Sequence, residues 1–149
     1  MDLAAPSCVR FLEARDLRMG RVVGVVPARM GSSRFPGKPL VPLNGLPMVE
    51  HVRRRVALCK DIDEVVVATP DDEIRSVVES FGGRVAMTSD AHERASDRVA
   101  EVAERTNAEV FVMVQGDEPL ITPMMVSLSL GPFSDPAVQC VNLTGEITT

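Results

Sequence analysis

Short apolar runs alternate with amphipathic stretches along this chain. Val22 to Val26 is an unbroken apolar run, and Glu64 to Thr69 and Glu109 to Val114 behave alike. Runs of this length, bounded by turn residues, read as buried strands. Arg84 to Thr88 reads as a shorter one. Between the strands the period lengthens to that of a helix. From Pro47 to Lys60, Met48, Val49, Val52, Val56 and Cys59 share one face, while Arg53, Arg54 and Arg55 fall largely on an opposite, solvated face. Asp71 is placed to cap a second helix, in which Ile74, Val77, Val78 and Phe81 follow the i, i+3, i+4, i+7 rule until Gly82-Gly83 ends it. Ser96 or Asp97 would cap a third, with Val99, Val102 and Ala103 inward. Beyond Pro123 the chain reads as turn-rich, with Val138 to Leu143 a candidate last strand. This alternation predicts an α/β fold: a mostly parallel, Rossmann-like sheet with helices on both faces and right-handed crossovers. Ligands of such sheets sit beyond the carboxyl ends of the strands.

The first strand runs into Pro27-Ala28-Arg29-Met30-Gly31-Ser32-Ser33-Arg34-Phe35-Pro36-Gly37-Lys38-Pro39-Leu40. Small residues alternate there with the cations Arg29, Arg34 and Lys38. Such a loop concentrates backbone N–H groups and positive charge at a strand end, and the ligand that suits it is a polyphosphate. Two familiar phosphate loops do not fit. The G-x-x-x-x-G-K-[ST] loop needs one residue fewer between Gly31 and Gly37, and Pro39 stands where its metal-binding hydroxyl belongs. The dinucleotide fingerprint G-x-G-x-x-G is absent.

The last apolar strand runs into Gln115-Gly116-Asp117-Glu118-Pro119. A carboxylate at that position can stand beside a phosphate loop and hold a hard cation. Magnesium takes oxygen ligands, usually one or two carboxylates plus substrate phosphates. A turn using Gly, Asp and Pro for geometry alone has the same composition, but the cationic loop upstream favours Asp117 as a metal ligand.

Together these residues resemble the nucleotide-sugar cytidylyltransferases, and most closely the 3-deoxy-manno-octulosonate cytidylyltransferases, CMP-sugar-acid synthetases of lipopolysaccharide assembly. The family's P-A-R-x-x-S-[ST]-R-[LF]-P-G-K-P-L loop is matched from Pro27 to Leu40. Its G-x-P-M is matched by Gly45-Leu46-Pro47-Met48, its F-G-G and M-T by Phe81-Gly82-Gly83 and Met87-Thr88, and its V-Q-G-D-E-P-x-I block by Val114 to Ile121. V-A-T-D-D is matched by Val67-Ala68-Thr69 and Asp71, with Pro70 intervening. In H-x-S-G-T-[DE]-R, Arg94 and Ala95 replace Ser and Gly between His92 and Ser96-Asp97-Arg98, a departure that leaves the sugar acid open.

The resemblance implies the nucleotide-diphospho-sugar transferase type of sheet and a reaction. A hydroxyl of a sugar acid attacks the α-phosphorus of CTP, and pyrophosphate leaves. Arg29, Arg34 and Lys38 would hold the triphosphate, backbone N–H groups of Met30, Gly31, Ser32 and Ser33 would cradle it, and Asp117 would ligate Mg2+. Ala28 and Thr69 would line the base pocket, Ser96 would hydrogen-bond cytosine, and Gln115 would reach ribose or sugar hydroxyls. Family members are considerably longer than this chain of 149 residues. The expectation is therefore a truncated, N-terminal nucleotide-binding domain over residues 21–149, behind a disordered extension over residues 1–20. The rest of the family's length supplies most of the acceptor site, a second metal carboxylate and much of a homodimer interface. A CTP-binding but inactive fragment, or another sugar nucleotidyltransferase of the same architecture, remain alternatives.

Composition narrows the partners. The net charge is −5, from 21 acidic and 16 basic side chains, and aromatic content is 3% with no Trp or Tyr. Neither a general basic surface nor a base-stacking platform for nucleic acid is present. No apolar run approaches the ~20 residues of a membrane helix. Cys8, Cys59 and Cys140 form no C-x-x-C pair, and free thiols suit a reducing cytoplasm. His92 reads as a solvated loop histidine and His51 as structural.

Overall fold

The computed structural model describes residues 20–31 and 35–144. The expected extension lies outside them except for Gly20, as do Ser32, Ser33 and Arg34. Strand β1 (Val22–Pro27) opens the fold, and a hairpin of β2 (Pro42–Leu43) and β3 (Leu46–Pro47) precedes helix α1 (Met48–Ala57). Then follow β4 (Glu64–Thr69), α2 (Asp72–Ser80), β5 (Arg84–Met87), α3 (Ala95–Glu104), β6 (Val110–Met113) and α4 (Pro123–Leu130). The four longer strands form one parallel sheet in the order β5-β4-β1-β6. The α/β architecture expected from the alternation is the one observed.

Each face of the sheet is covered. Val26, Val65 and Val67 pack with Val49, Val52 and Val56 of α1, Ile74 and Val78 of α2, and Val126 of α4. On the other face Val23, Val25, Val66 and Ala68 pack with Val102 of α3. Fully burying one such side chain is worth about 1.5–3 kcal/mol, so these two layers carry most of the drive to fold. The continuous apolar runs are thereby explained, since a strand covered on both faces needs no polar alternation.

Several local expectations are corrected. Helix α1 stops at Ala57, and Cys59 enters the core from the turn beyond, its thiol 3.3 Å from the Ser127 hydroxyl. Arg53 and Arg54 are not simply solvated: both grip the fully buried carboxylate of Glu50, at 2.7 Å from each Nε. That bond, ahead of the opposing cost of burial, holds the Arg53 pKa above its ordinary value. Phe81 is exposed, and its ring lies 5.3 Å from the Arg54 guanidinium, a cation–π contact. Asp71 gives α2 no side-chain cap, and α3 begins at Ala95 with Arg94 at the N-cap position, ahead of both Ser96 and Asp97. Asp97 instead accepts the Arg94 N–H at 3.3 Å. Val138 to Leu143 forms no strand.

Candidate functional site

Strand order decides where the site lies. From β1 the chain moves to β4 and β5 on one side, then crosses to place β6 on the other. The connections leaving the carboxyl ends of β1 and β6 therefore diverge, and a crevice opens between them. A cleft of about 610 Å3 occupies that crevice, walled by Ala28, Arg29 and Lys38 after β1 and by Gln115, Gly116 and Asp117 after β6. Arg94 and Arg98 close it from α3.

Gly116 brings the two walls together. A Cβ at that position would stand 2.8 Å from the Pro27 carbonyl oxygen, closer than a carbon can approach. With glycine there, the segments pack directly, and the Lys38 ammonium reaches the Asp117 carboxylate at 2.6 Å. Lys38 opens a short 3-10 turn, Lys38–Leu40, behind Gly37, whose left-handed φ of 74° starts it. Gly37 N–H also donates to Met30 O at 3.1 Å and closes the loop on itself. The group suited to phosphate and the group suited to a metal thus meet across the cleft. Both are partly solvated, so the pair is cheap to open.

Met30 and Thr69 serve the frame. The Met30 N–H donates to Asp71 Oδ2 at 2.8 Å, so it is not available to cradle a phosphate. Thr69 is fully buried and its hydroxyl accepts the Asp71 N–H at 3.1 Å, which keeps it off the cleft wall. Asp71 therefore ties the start of the cationic loop to the end of β4. Gly31 is exposed and outside the wall, as is Ser96, whose neighbours Arg94 and Ala95 line it instead. His92 is half-buried, its Nε2 2.6 Å from Glu101 Oε2, and not a solvated loop residue. His51 donates from Nε2 to Leu43 O at 2.7 Å, a structural contact with the hairpin.

Arg98 matches the last position of H-x-S-G-T-[DE]-R, but the sequence alone assigned it no role. It is 3% exposed, yet it lines the cleft. Its guanidinium donates to Thr88 Oγ1 at 2.7 Å, Ser89 O at 2.9 Å and His92 O at 3.2 Å, all uncharged acceptors. Burial, and then the charge of Arg29, push its pKa below the ordinary arginine value. A helix-period reading puts Arg98 on the same face as Val102, and a cation on an inward face was the available signal.

The chain belongs to the cytidylyltransferase family, whose model matches residues 23–131. It is 50% identical over 129 residues to a 3-deoxy-manno-octulosonate cytidylyltransferase of Geobacter sulfurreducens, covering 86% of this chain and 52% of the relative. The corresponding protein of Myxococcus xanthus is 51% identical over 120 residues, covering 80% and 49%. Among solved structures, a CMP:2-keto-3-deoxy-manno-octonic acid synthetase complexed with CTP superposes with a TM-score of 0.77 at 44% identity, covering 79% of this chain and 49% of that one. The chain spans about half the length of the curated relatives it matches.

Proposed function

We propose that this chain carries the CTP-binding part of a sugar-acid cytidylyltransferase, with 3-deoxy-manno-octulosonate or a close relative as acceptor, in lipopolysaccharide precursor synthesis. The observation that carries the reading is the meeting of Lys38 and Asp117 across the switch-point cleft, 2.6 Å apart. In the reaction the acceptor hydroxyl oxygen forms a bond to the α-phosphorus of CTP, the bond from that phosphorus to the bridging oxygen breaks, and pyrophosphate departs with the bonding pair. The acceptor hydroxyl gives up its proton. Catalysis of this kind is mainly positioning and charge neutralisation.

Arg29 clamps two phosphate oxygens at once and Lys38 acts as a point charge on the departing pyrophosphate. Arg34, from the same loop, adds a third cation. Ala28 lies against the base and Gln115 faces ribose or acceptor hydroxyls. The cleft suits Mg2+ on one condition. Asp117 offers a half-exposed carboxylate, and no group of three or more His, Cys, Asp or Glu side chains gathers among the described residues. An ion held there must take most of its ligands from the nucleotide's own oxygens, as magnesium does. When bound, it neutralises phosphate charge as pyrophosphate leaves.

No helix among the described residues is long and apolar enough to cross a membrane. Both substrates are water-soluble, and the reaction belongs in the cytoplasm, with homodimers expected at the relatives' full length. A second reading, CTP binding without transfer, rests on the lack of any group of three or more His, Cys, Asp or Glu side chains among the described residues to hold a metal by itself. Pyrophosphate release, measured with CTP, GTP or UTP, Mg2+ and a panel of sugar acids, separates the readings. Residues 1–149 should release little, whereas a protein of the relatives' length should turn over with CTP. Turnover with GTP or UTP in preference to CTP would contradict the nucleotide assignment.

A further inference from the structure

Taking the cleft as a nucleotide site, on which this step rests, we propose that Lys38 and Asp117 form a partner-exchange pair. Through it the chain takes a polyphosphate accompanied by a divalent cation in preference to the polyphosphate alone. The form of the nucleotide that is admitted is thereby set by two side chains acting on each other.

Arg29, Lys38, Arg94 and Arg98 all line the cleft. Among the described residues only Lys38 has a carboxylate oxygen within 4.0 Å, and that oxygen belongs to Asp117, the residue placed for a metal. The Lys38 ammonium, 2.6 Å from Asp117 Oδ2, therefore occupies the side of the carboxylate that a bound cation would take. The backbones on both sides are held in turns. The Lys38 N–H donates to Phe35 O at 3.3 Å and the Val41 N–H to Lys38 O at 3.2 Å, while the Glu118 N–H reaches back to Gln115 O at 3.1 Å. A change of partners thus needs side-chain rotation only, and both side chains reach solvent, 34% and 50% exposed.

The charges decide what that rotation costs. A polyphosphate arriving alone must draw Lys38 off Asp117, and it leaves the carboxylate unpaired beside its own negative charge. One attractive pair is lost and one like-charge contact is made. With a divalent cation present, Lys38 turns to the phosphate and the cation lies between Asp117 and the phosphate oxygens, so no like charges are left facing one another. The cation and the polyphosphate then favour each other through the protein, in addition to their chelation in solution.

A carboxylate that acts only through its general field would repel phosphate whether or not Lys38 were there. A double-mutant cycle separates the two cases. Residues 1–149, as wild type, Asp117→Asn, Lys38→Met and the double variant, are titrated calorimetrically with pyrophosphate and with CTP, in EDTA and in Mg2+. In EDTA, Asp117→Asn should bind both ligands about 2- to 5-fold more tightly than wild type, because Lys38 is released from its pair. In Mg2+ the sign should reverse, and Asp117→Asn should bind them more weakly. The gain in EDTA should shrink in the Lys38→Met background, where no ammonium remains to be released. No gain in EDTA, no reversal in Mg2+, or a gain undiminished by Lys38→Met overturns the exchange while leaving the nucleotide reading intact. A wild-type chain that binds neither CTP nor pyrophosphate in Mg2+ overturns both. Melting curves check the fold, and Asp117→Ser or Lys38→Gln replaces a variant that does not fold.

Discussion

The arginines at the two ends of the sheet keep opposite electrostatic company. At the amino end, Arg21 before β1 and Arg84 at the start of β5 both pair with Glu64, the first residue of β4. Asp63 beside it accepts the Val22 N–H at 2.8 Å. At the carboxyl end, Arg29 and Arg98 line a cleft with no carboxylate paired to either among the described residues, and Lys38 alone has one. The amino end spends its cations on holding strands together. The carboxyl end leaves cations unpaired around a crevice, an arrangement that makes sense for a site whose anion arrives from outside.

Substitutions at the two ends should therefore fail differently. The largest effect is expected from Asp117→Asn in a protein of the relatives' length. It preserves shape but removes the charge on which a bound cation depends, and several kcal/mol of transition-state stabilisation go with it. Turnover with CTP and the sugar acid should collapse while the melting curve is unchanged, and near-normal turnover would remove Asp117 as a metal ligand. Lys38→Ala comes next. It should weaken CTP binding by about 1.5–3 kcal/mol without destabilising the fold, as read by calorimetry and thermal melting together. Glu64→Ala at the amino end should do the reverse. Its two arginine partners are well exposed and screened, so unfolding in urea should show a loss of about 1 kcal/mol, with CTP affinity unchanged. If Glu64→Ala weakened CTP binding as much as Lys38→Ala, the two ends would not be distinct.

The smallest effect concerns acid. The Ser89 N–H, then His92 and Arg105, hold the Glu101 carboxyl below its ordinary pKa. A depressed pKa contributes stability that is complete above the ordinary carboxylate range and is lost as pH falls through the folded-state value. The stability difference between wild type and Glu101→Gln should thus be full at neutral pH and vanish in acid. Urea melts across that range measure it, and a difference that grows on acidification would reverse the sign.

How much could be read in the sequence differs by the kind of signal. The buried strands were legible because two-sided burial writes unbroken apolar runs, and α1 and α2 because one-sided burial writes a clear period. Helix α4 was not legible. Met124, Met125 and Leu128 are exposed while Val126 and Leu130 are buried, so no polar face marks it. Its start was marked, since Pro123 stands at the first turn behind Thr122, whose hydroxyl accepts the Met125 N–H at 3.3 Å. The hairpin too carried a signal in Asn44-Gly45, both with positive φ, as its tight turn requires. At the cleft, Ala28, Arg29, Lys38, Gln115 and Asp117 come together as motif reading expects. Thr69 and Met30 do not join them, because Asp71 engages both, and a side chain that stitches two loops leaves no mark in either motif. Arg98 was visible as a motif residue, but its burial among neutral acceptors was not, because sequence spacing does not record which groups surround a side chain.

That the switch-point cleft holds the triphosphate of CTP is tested most directly by calorimetric titration of residues 1–149 with CTP and Mg2+, repeated with CMP and cytidine and with Lys38→Ala. One site per chain is expected, with affinity falling from CTP to CMP to cytidine and the advantage of CTP over CMP largely lost in Lys38→Ala. A folded chain that binds no CTP, or one whose preference for CTP over CMP survives Lys38→Ala undiminished, would contradict it.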